Sequence, residues 1–174
     1  MSSALAKARQ VRLMGFDIDG VMTDGRLYFG PSGDELKTFF TRDGLGLKLL
    51  AATGVKIAII TGRNSAIVAR RAEDLGIELL EQGVTDKRTA MARLLDQAGL
   101  SFVEAGYMGD DIVDLSVMAA CGFSATVADG HPLVLAQADM VAAAPAGAGA
   151  VRDVCELILR AQGNWQRTIE AYQG

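Results

Sequence analysis

Apolar and polar positions along this chain change period several times, and the changes mark out its elements. Val11 to Asp17 is a short apolar run that ends abruptly in carboxylates. Arg26 to Phe29 and Glu35 to Phe40 are β-prone runs on either side of Gly30-Pro31-Ser32-Gly33, a Gly/Pro turn, and together predict a β-hairpin over about 26–40. Asp43 opens a helix over Gly44 to Thr53, with Gly54 as its stop. Val55 to Ile60 is β-branched and almost wholly apolar, the pattern of a strand buried on both faces.

Beyond residue 60 strand and helix alternate. Helices are expected over Asn64 to Gly76, Lys87 to Ala98, Ile112 to Ala120, Pro132 to Gln137 and Val151 to Ala161. Strands are expected over Ile77 to Glu81, Phe102 to Met108, Phe123 to Val127 and Met140 to Ala142. Ala4 to Gln10 is a helix-compatible lead-in, and Ala142 to Ala150 an Ala/Gly-rich flexible loop. This order predicts an α/β fold with a Rossmann-like, doubly wound, mostly parallel sheet. A single domain is expected over 1–174, with a flexible tail over about 164–174.

Composition narrows the function. Half of the 174 residues are hydrophobic, enough for a sizeable core. The net charge of −4 argues against a nucleic-acid partner, which needs a basic face. No stretch reaches the roughly 18 apolar residues of a membrane span, and Met1 to Arg12 has no apolar core of signal-peptide length. Cys121 and Cys155 lack metal-ligand spacing and read as buried free thiols. A cytoplasmic location is the expectation.

The chemistry concentrates at strand ends, where open α/β sheets bind their ligands. Asp17 and Asp19 follow the first strand, one residue apart, and mutually repelling carboxylates there call for a hard cation such as Mg²⁺. Thr61-Gly62-Arg63 follows the next strand, where a hydroxyl and free N–H groups suit a phosphate oxygen, although Thr61 could equally cap a helix. Lys87 stands at a helix start, against the dipole, which points to a task beyond surface charge. Gly109-Asp110-Asp111 with Asp114 closes the series; each acid also suits a helix N-terminus.

Taken in order, these four groups resemble the motif set of the haloacid dehalogenase superfamily of phosphotransferases. The resemblance implies Asp17 as nucleophile, Asp19 as general acid and base, and Thr61 and Lys87 as phosphate ligands, with Lys87 also offsetting the acidic cluster. It implies Mg²⁺ held by Asp17, the Asp19 carbonyl and Asp110, with Asp111 or Asp114 in support. The aspartate at position 19 fits the phosphatase side of that superfamily. A response-regulator receiver has a similar acidic cluster but a different motif order. A non-catalytic binding module would be expected to have lost one of Asp17, Asp19, Lys87 or Asp110.

Neither the segment from Asp19 to Thr61 nor that from Thr61 to Lys87 has room for a cap domain, so the site should be open in one copy, and either acts on exposed or large substrates or is closed by a neighbouring subunit, with the hairpin as the closing device. The runs 17–25, Tyr28, Gly33, Glu35-Leu36-Lys37, Arg42-Asp43-Gly44, Ile60 to Arg63, Gln82-Gly83, Gly109-Asp110-Asp111, Val127 to Pro132 and Gly149 to Arg152 are similar to the capless 3-deoxy-D-manno-octulosonate 8-phosphate phosphatase family, homotetramers of lipopolysaccharide precursor synthesis. That likeness implies a sugar acid phosphate substrate, with a phosphatase for a related nine-carbon sugar acid phosphate or another small phosphometabolite as the alternative. Arg63 and Arg42 are candidates for the substrate carboxylate, where a guanidinium gives a bidentate match. The family's tail loop, which reaches a neighbouring subunit's site, carries a Gly-Arg-Gly-type run; here it reads Gly147-Ala148-Gly149, with Arg152 following in the helix. His131, the only histidine, reads as a loop hydrogen-bonding residue, and Trp165 and Tyr172 as packing or interface residues.

Overall fold

The computed structural model describes residues 3–173; Met1, Ser2 and Gly174, at the ends of the expected domain and tail, lie outside the described residues. Among the described residues, eight strands and eight α-helices follow in order: α1 (Ser3–Ala8), β1 (Leu13–Phe16), β2 (Tyr28–Phe29), β3 (Glu35–Leu36), α2 (Thr41–Ala51), β4 (Lys56–Ile60), α3 (Ala66–Leu75), β5 (Leu79–Glu81), α4 (Lys87–Ala98), β6 (Ala105–Met108), α5 (Leu115–Ala120), β7 (Phe123–Thr126), α6 (Pro132–Gln137), β8 (Met140–Val141), α7 (Ala150–Ala161) and α8 (Trp165–Glu170). Six strands form one sheet in the order β5-β4-β1-β6-β7-β8. Each of its pairings is parallel. The chain runs outward from β1 in both directions, so the order reverses beside β1, where such folds place their ligands.

Side chains alternate across this sheet with period two. Met14, Phe16, Ile57 and Ile59 join the core under α2, α3 and α7. Leu13, Ala58 and Ile60 join the core under α4, α5 and α6. Gly15 faces that second core, where an added Cβ would lie 2.7 Å from the Met91 methyl and 2.9 Å from the Tyr107 ring. A residue without a side chain thus lets Tyr107 lie across β1. No helix among the described residues is long and apolar enough to cross a membrane.

The structure corrects several boundaries. The hairpin strands are two residues each, Tyr28–Phe29 against Glu35–Leu36, rather than the longer runs expected. Helix α2 begins at Thr41 because Asp43 does not cap it: the Asp43 side chain turns away to accept from the Arg152 backbone N–H at 2.8 Å, at the start of α7. Phe102–Glu104 is a helical turn ahead of β6, set by reciprocal bonds between Ser101 and Glu104. Within the expected tail, Trp165 opens α8 with the Arg160 guanidinium 4.2 Å above its ring. The two thiols are free, and burial pushes Cys121 up to about 12 and Cys155 higher still.

Candidate active site

Parallel register brings the strand-end groups together. Phe16 lies opposite Ile59 of β4 and Met108 of β6, so the residues that follow emerge side by side. Asp17 N–H donates to Met108 O at 3.0 Å and Thr61 N–H to Glu81 O at 2.9 Å, carrying both residues one step past their strands. After Asp17 the chain coils through Ile18–Met22, with Gly20 at φ 92°. A Cβ at Gly20 would stand 2.1 Å from Asp110 Oδ2, so glycine is required by both its backbone angle and the adjoining carboxylate.

Lys87, at the start of α4, lies at the centre of the constellation. Its Nζ is 2.7 Å from Asp17 Oδ2 and 2.6 Å from Asp114 Oδ1, with only 5% of the residue exposed. The Asp86 side chain performs the capping of α4 by accepting from Thr89 N–H, which frees Lys87 to point inward. Burial alone would lower the Lys87 pKa, but the charges of Asp17 and Asp114 outweigh it and hold the ammonium above its ordinary value. Asp114, fully buried, has both oxygens engaged. Oδ1 accepts from Lys87 and from the Tyr107 hydroxyl at 3.2 Å, and Oδ2 from the backbone N–H groups of Asp110 and Asp111. Its place is to hold Lys87 and the 109–111 turn. Asp111 caps that same turn, accepting from Ile112 N–H at 2.7 Å.

Asp17, Asp110 and Asp114 each offer an oxygen, all within 4.8 Å of one another. Desolvation, countered by Lys87, pushes Asp17 up to about 6. Desolvation and the Asp17 charge push Asp110 up to about 7. Crowded, partly desolvated carboxylates with raised pKa values are an all-oxygen donor set short of positive charge, and they fit a hard divalent cation. Asp114 has both oxygens bonded, and Asp17 likewise accepts from Ile18 N–H at 2.7 Å on Oδ1 and pairs with Lys87 on Oδ2.

The cleft over these groups is open, about 510 Å³, and Thr61, Gly62, Arg63 and Asp19 stand on its wall. Arg63 is half exposed, its Nε 3.9 Å from Asp19 Oδ2. Arg42 is not brought into this cleft: it sits on the first turn of α2 with its guanidinium over the Phe40 ring. His131 makes the expected loop bonds: its ring Nδ1 accepts from Leu133 N–H, and its backbone N–H donates to Asp110 O at 2.8 Å, tying the loop to the acidic turn. Arg152 pairs with Glu156 at 2.7 Å within α7.

Two residues near the chemistry have no role in the expectation: Tyr107 is not singled out there, and Lys37 stands only among the residues that carry the family resemblance. Tyr107 supports Asp114, and nothing in a strand's pattern distinguishes an inward tyrosine from ordinary core. Lys37, from the hairpin, pairs with Asp19 Oδ1 and with Glu35 Oε1. The alternation Glu35-Leu36-Lys37, which puts two charges on one face of a strand, was the available signal.

This sheet order with this strand-end constellation defines a haloacid dehalogenase-like hydrolase, and the model of that family matches residues 76–153. The chain belongs, within it, to the 3-deoxy-D-manno-octulosonate 8-phosphate phosphatases. The phosphatase of that name from Escherichia coli K12 is 43% identical over 162 residues, covering 93% of this chain and 86% of the other. The crystal structure of the Yersinia pestis phosphatase superposes with a TM-score of 0.93 at 44% identity, covering 94% and 89%. The Moraxella catarrhalis phosphatase, solved with magnesium, phosphate and KDO, superposes with a TM-score of 0.97 at 41% identity, covering 99% of each chain.

Proposed function

We propose that this chain hydrolyses 3-deoxy-D-manno-octulosonate 8-phosphate to the free sugar acid and phosphate, through an aspartyl phosphate on Asp17. One observation carries the mechanism: a buried lysine bridges Asp17 and Asp114 beside the carboxylate of Asp110, at the switch point of a parallel sheet. The relatives bearing this activity in their names support the substrate.

The Asp17 carboxylate attacks phosphorus in line with the C8 oxygen. The Thr61 hydroxyl and the Gly62 and Arg63 N–H groups hold the equatorial oxygens, and Lys87 offsets their charge. Asp19 gives its proton to the departing C8 oxygen as the P–O bond breaks. It then takes a proton from a water whose oxygen attacks the aspartyl phosphate at phosphorus, restoring the Asp17 carboxylate and releasing phosphate. Asp17, the Asp19 carbonyl and Asp110 would hold Mg²⁺, whose positive charge would screen the incoming phosphate and stabilise the transition state. Arg63, on the cleft wall, takes the sugar carboxylate, and Arg42 serves that task only across a subunit boundary.

Assembly as a homotetramer through the hairpin belongs to the same reading, supported by the outward faces of Leu27, Tyr28, Phe29 and Leu36. So does a cytoplasmic place, supported by two unpaired cysteines. Ala148, where the family carries arginine, makes a nine-carbon sugar acid phosphate the second substrate to assay.

The test is phosphate release with Mg²⁺ from the octulosonate 8-phosphate, a nine-carbon sugar acid phosphate and hexose phosphates, for wild type and Asp17→Asn. We expect preference for the octulosonate and a loss of at least ~10³-fold in the variant, as for removal of a covalent nucleophile. Activity that survives Asp17→Asn rules out the aspartyl phosphate. Asp17-dependent activity confined to another phosphate keeps the mechanism and replaces the substrate.

A further inference from the structure

Lys37 is a buried ammonium on a hairpin whose neighbouring side chains face solvent. Its side chain is 1% exposed, whereas Leu36 beside it is 62% exposed. Removing an ammonium from water costs several kcal/mol unless partners replace the solvent. Here the partners are Asp19 Oδ1 and, at 3.2 Å, Glu35 Oε1. The other oxygen of Glu35 accepts from the Ser65 hydroxyl at 2.6 Å. Ser65 is itself fixed twice: its N–H donates to Gln82 Oε1 at 2.9 Å, and its hydroxyl caps α3 at Val68 N–H. A continuous polar chain therefore runs from the loop after β5, through the start of α3, across the hairpin and onto the Asp19 carboxylate.

The other cation near Asp19 does not substitute for Lys37. Arg63 is 47% exposed and stands 3.9 Å from Oδ2, a loose solvated pair, and Lys87 is committed to Asp17 and Asp114. Lys37 thus holds Oδ1 and leaves Oδ2 on the Arg63 side of the cleft, with Arg63 Nε 3.9 Å away.

We propose that Lys37 is a positioning residue for Asp19, through which the hairpin sets the carboxylate that serves the leaving group. This rests on the reading of Asp19 as general acid. A proton donor contributes only within hydrogen-bond reach of the atom it serves. With Oδ1 released, the Asp19 side chain regains its rotamers, and the productive one is occupied part of the time. The chemistry of Asp17 on phosphorus needs no help from Lys37, so the defect is confined to substrates whose leaving group must be protonated.

That confinement is the test. Wild type, Lys37→Met and Asp19→Asn are assayed with Mg²⁺ on 3-deoxy-D-manno-octulosonate 8-phosphate, whose alkoxide needs an acid, and on p-nitrophenyl phosphate, whose phenolate leaves without one. The quantity read is kcat/KM, which reports on steps through cleavage of the ester. Both substrates are run on one preparation, so any loss of folded protein cancels in the ratio. A positioned acid contributes ~10²–10⁴-fold, so Lys37→Met is expected to lose ~10²-fold on the sugar phosphate and less than about 5-fold on the aryl phosphate. Ser65→Ala, which slackens Glu35, should shift the ratio in the same direction by a smaller factor. Parallel losses on both substrates in Lys37→Met, or no loss on either, overturn the positioning role while a selective loss in Asp19→Asn keeps the acid. Parallel losses in Asp19→Asn remove the acid itself, and the proposal with it.

Discussion

The strand-end cluster and the hairpin adjoin one another and are built by different means. Asp17, Thr61, Lys87 and Asp114 are each no more than 6% exposed, held by strand register and by one another. Two-residue strands make the hairpin, and Leu27, Tyr28, Phe29 and Leu36 are turned outward. The cluster can be rigid because β1 and β6 are buried along their length and β4 from Ile57 onward, and these strands end at the site. The hairpin has no second layer in one copy of the chain, and an isolated ribbon of this size is marginal by itself. Its firm attachments are polar, the Lys37 pair with Asp19 and the 2.6 Å bond from the Ser65 hydroxyl to Glu35. On the proposed mechanism the site joins a fixed half, which binds and attacks phosphorus, to an appended half that serves the leaving group.

If this division is right, the largest effects come from the fixed half. Asp114→Asn keeps the shape but replaces two accepting oxygens by one, in a place where four donors converge. Breaking a buried pair from one side costs about 3–5 kcal/mol, because the remaining charge stays buried without compensation. We expect a loss of stability of that order in urea titration and a fall in kcat/KM of about 10–100-fold, as for other partners behind a metal-binding group. Near-native values of both would show that Asp114 does not hold Lys87 in place.

A smaller effect separates the halves by pH. The folded-state pKa values of Asp17 and Asp110 are raised to about 6 and about 7 from an ordinary 3.8. The folded protein thus binds protons that the unfolded chain would release, so these groups cost stability above about 7, and that cost fades as pH falls through those values toward 3.8. Mg²⁺ binds the deprotonated forms and must displace the protons at lower pH. The rise in melting temperature on adding Mg²⁺ is therefore expected to be greatest above about pH 7 and to shrink as pH falls through 6. A rise of constant size across that range would remove Asp17 and Asp110 from the binding event.

The same division governed what the sequence reveals. Strand ends are announced by a change from apolar run to acid or hydroxyl, and parallel order then brings Asp17, Thr61, Lys87 and Asp110 together without further information. Asp43 misled about the start of α2 because a capping residue type was used at long range, on α7, and one-dimensional pattern does not say which helix an aspartate caps. Lys37 and Tyr107 act through contacts 18 and 7 residues away along the chain, and the alternation around them looks like ordinary strand. Arg42 has the right chemistry for a carboxylate and stands outside the cleft of its own chain, a distinction that only the placement of α2 makes.

The smallest expected effect on the fold tests what the hairpin's apolar face is for. Leu27 is 43% and Phe29 62% exposed, so little of their area is buried within one chain, and replacing both by serine should change the stability of the lowest-mass species by about 0.5 kcal/mol or less per site. If that face is a contact between copies, the same pair of changes removes a contiguous apolar patch from every interface it forms. Light scattering should then show the wild-type assembly replaced by smaller species at equal concentration. The stability comparison has to be made on the dissociated form, since an assembled wild type gains stability from assembly itself. An unchanged mass would leave the patch without a partner copy. An unchanged mass with a loss of several kcal/mol would place Leu27 and Phe29 in the core of their own chain and end the contrast between the two halves.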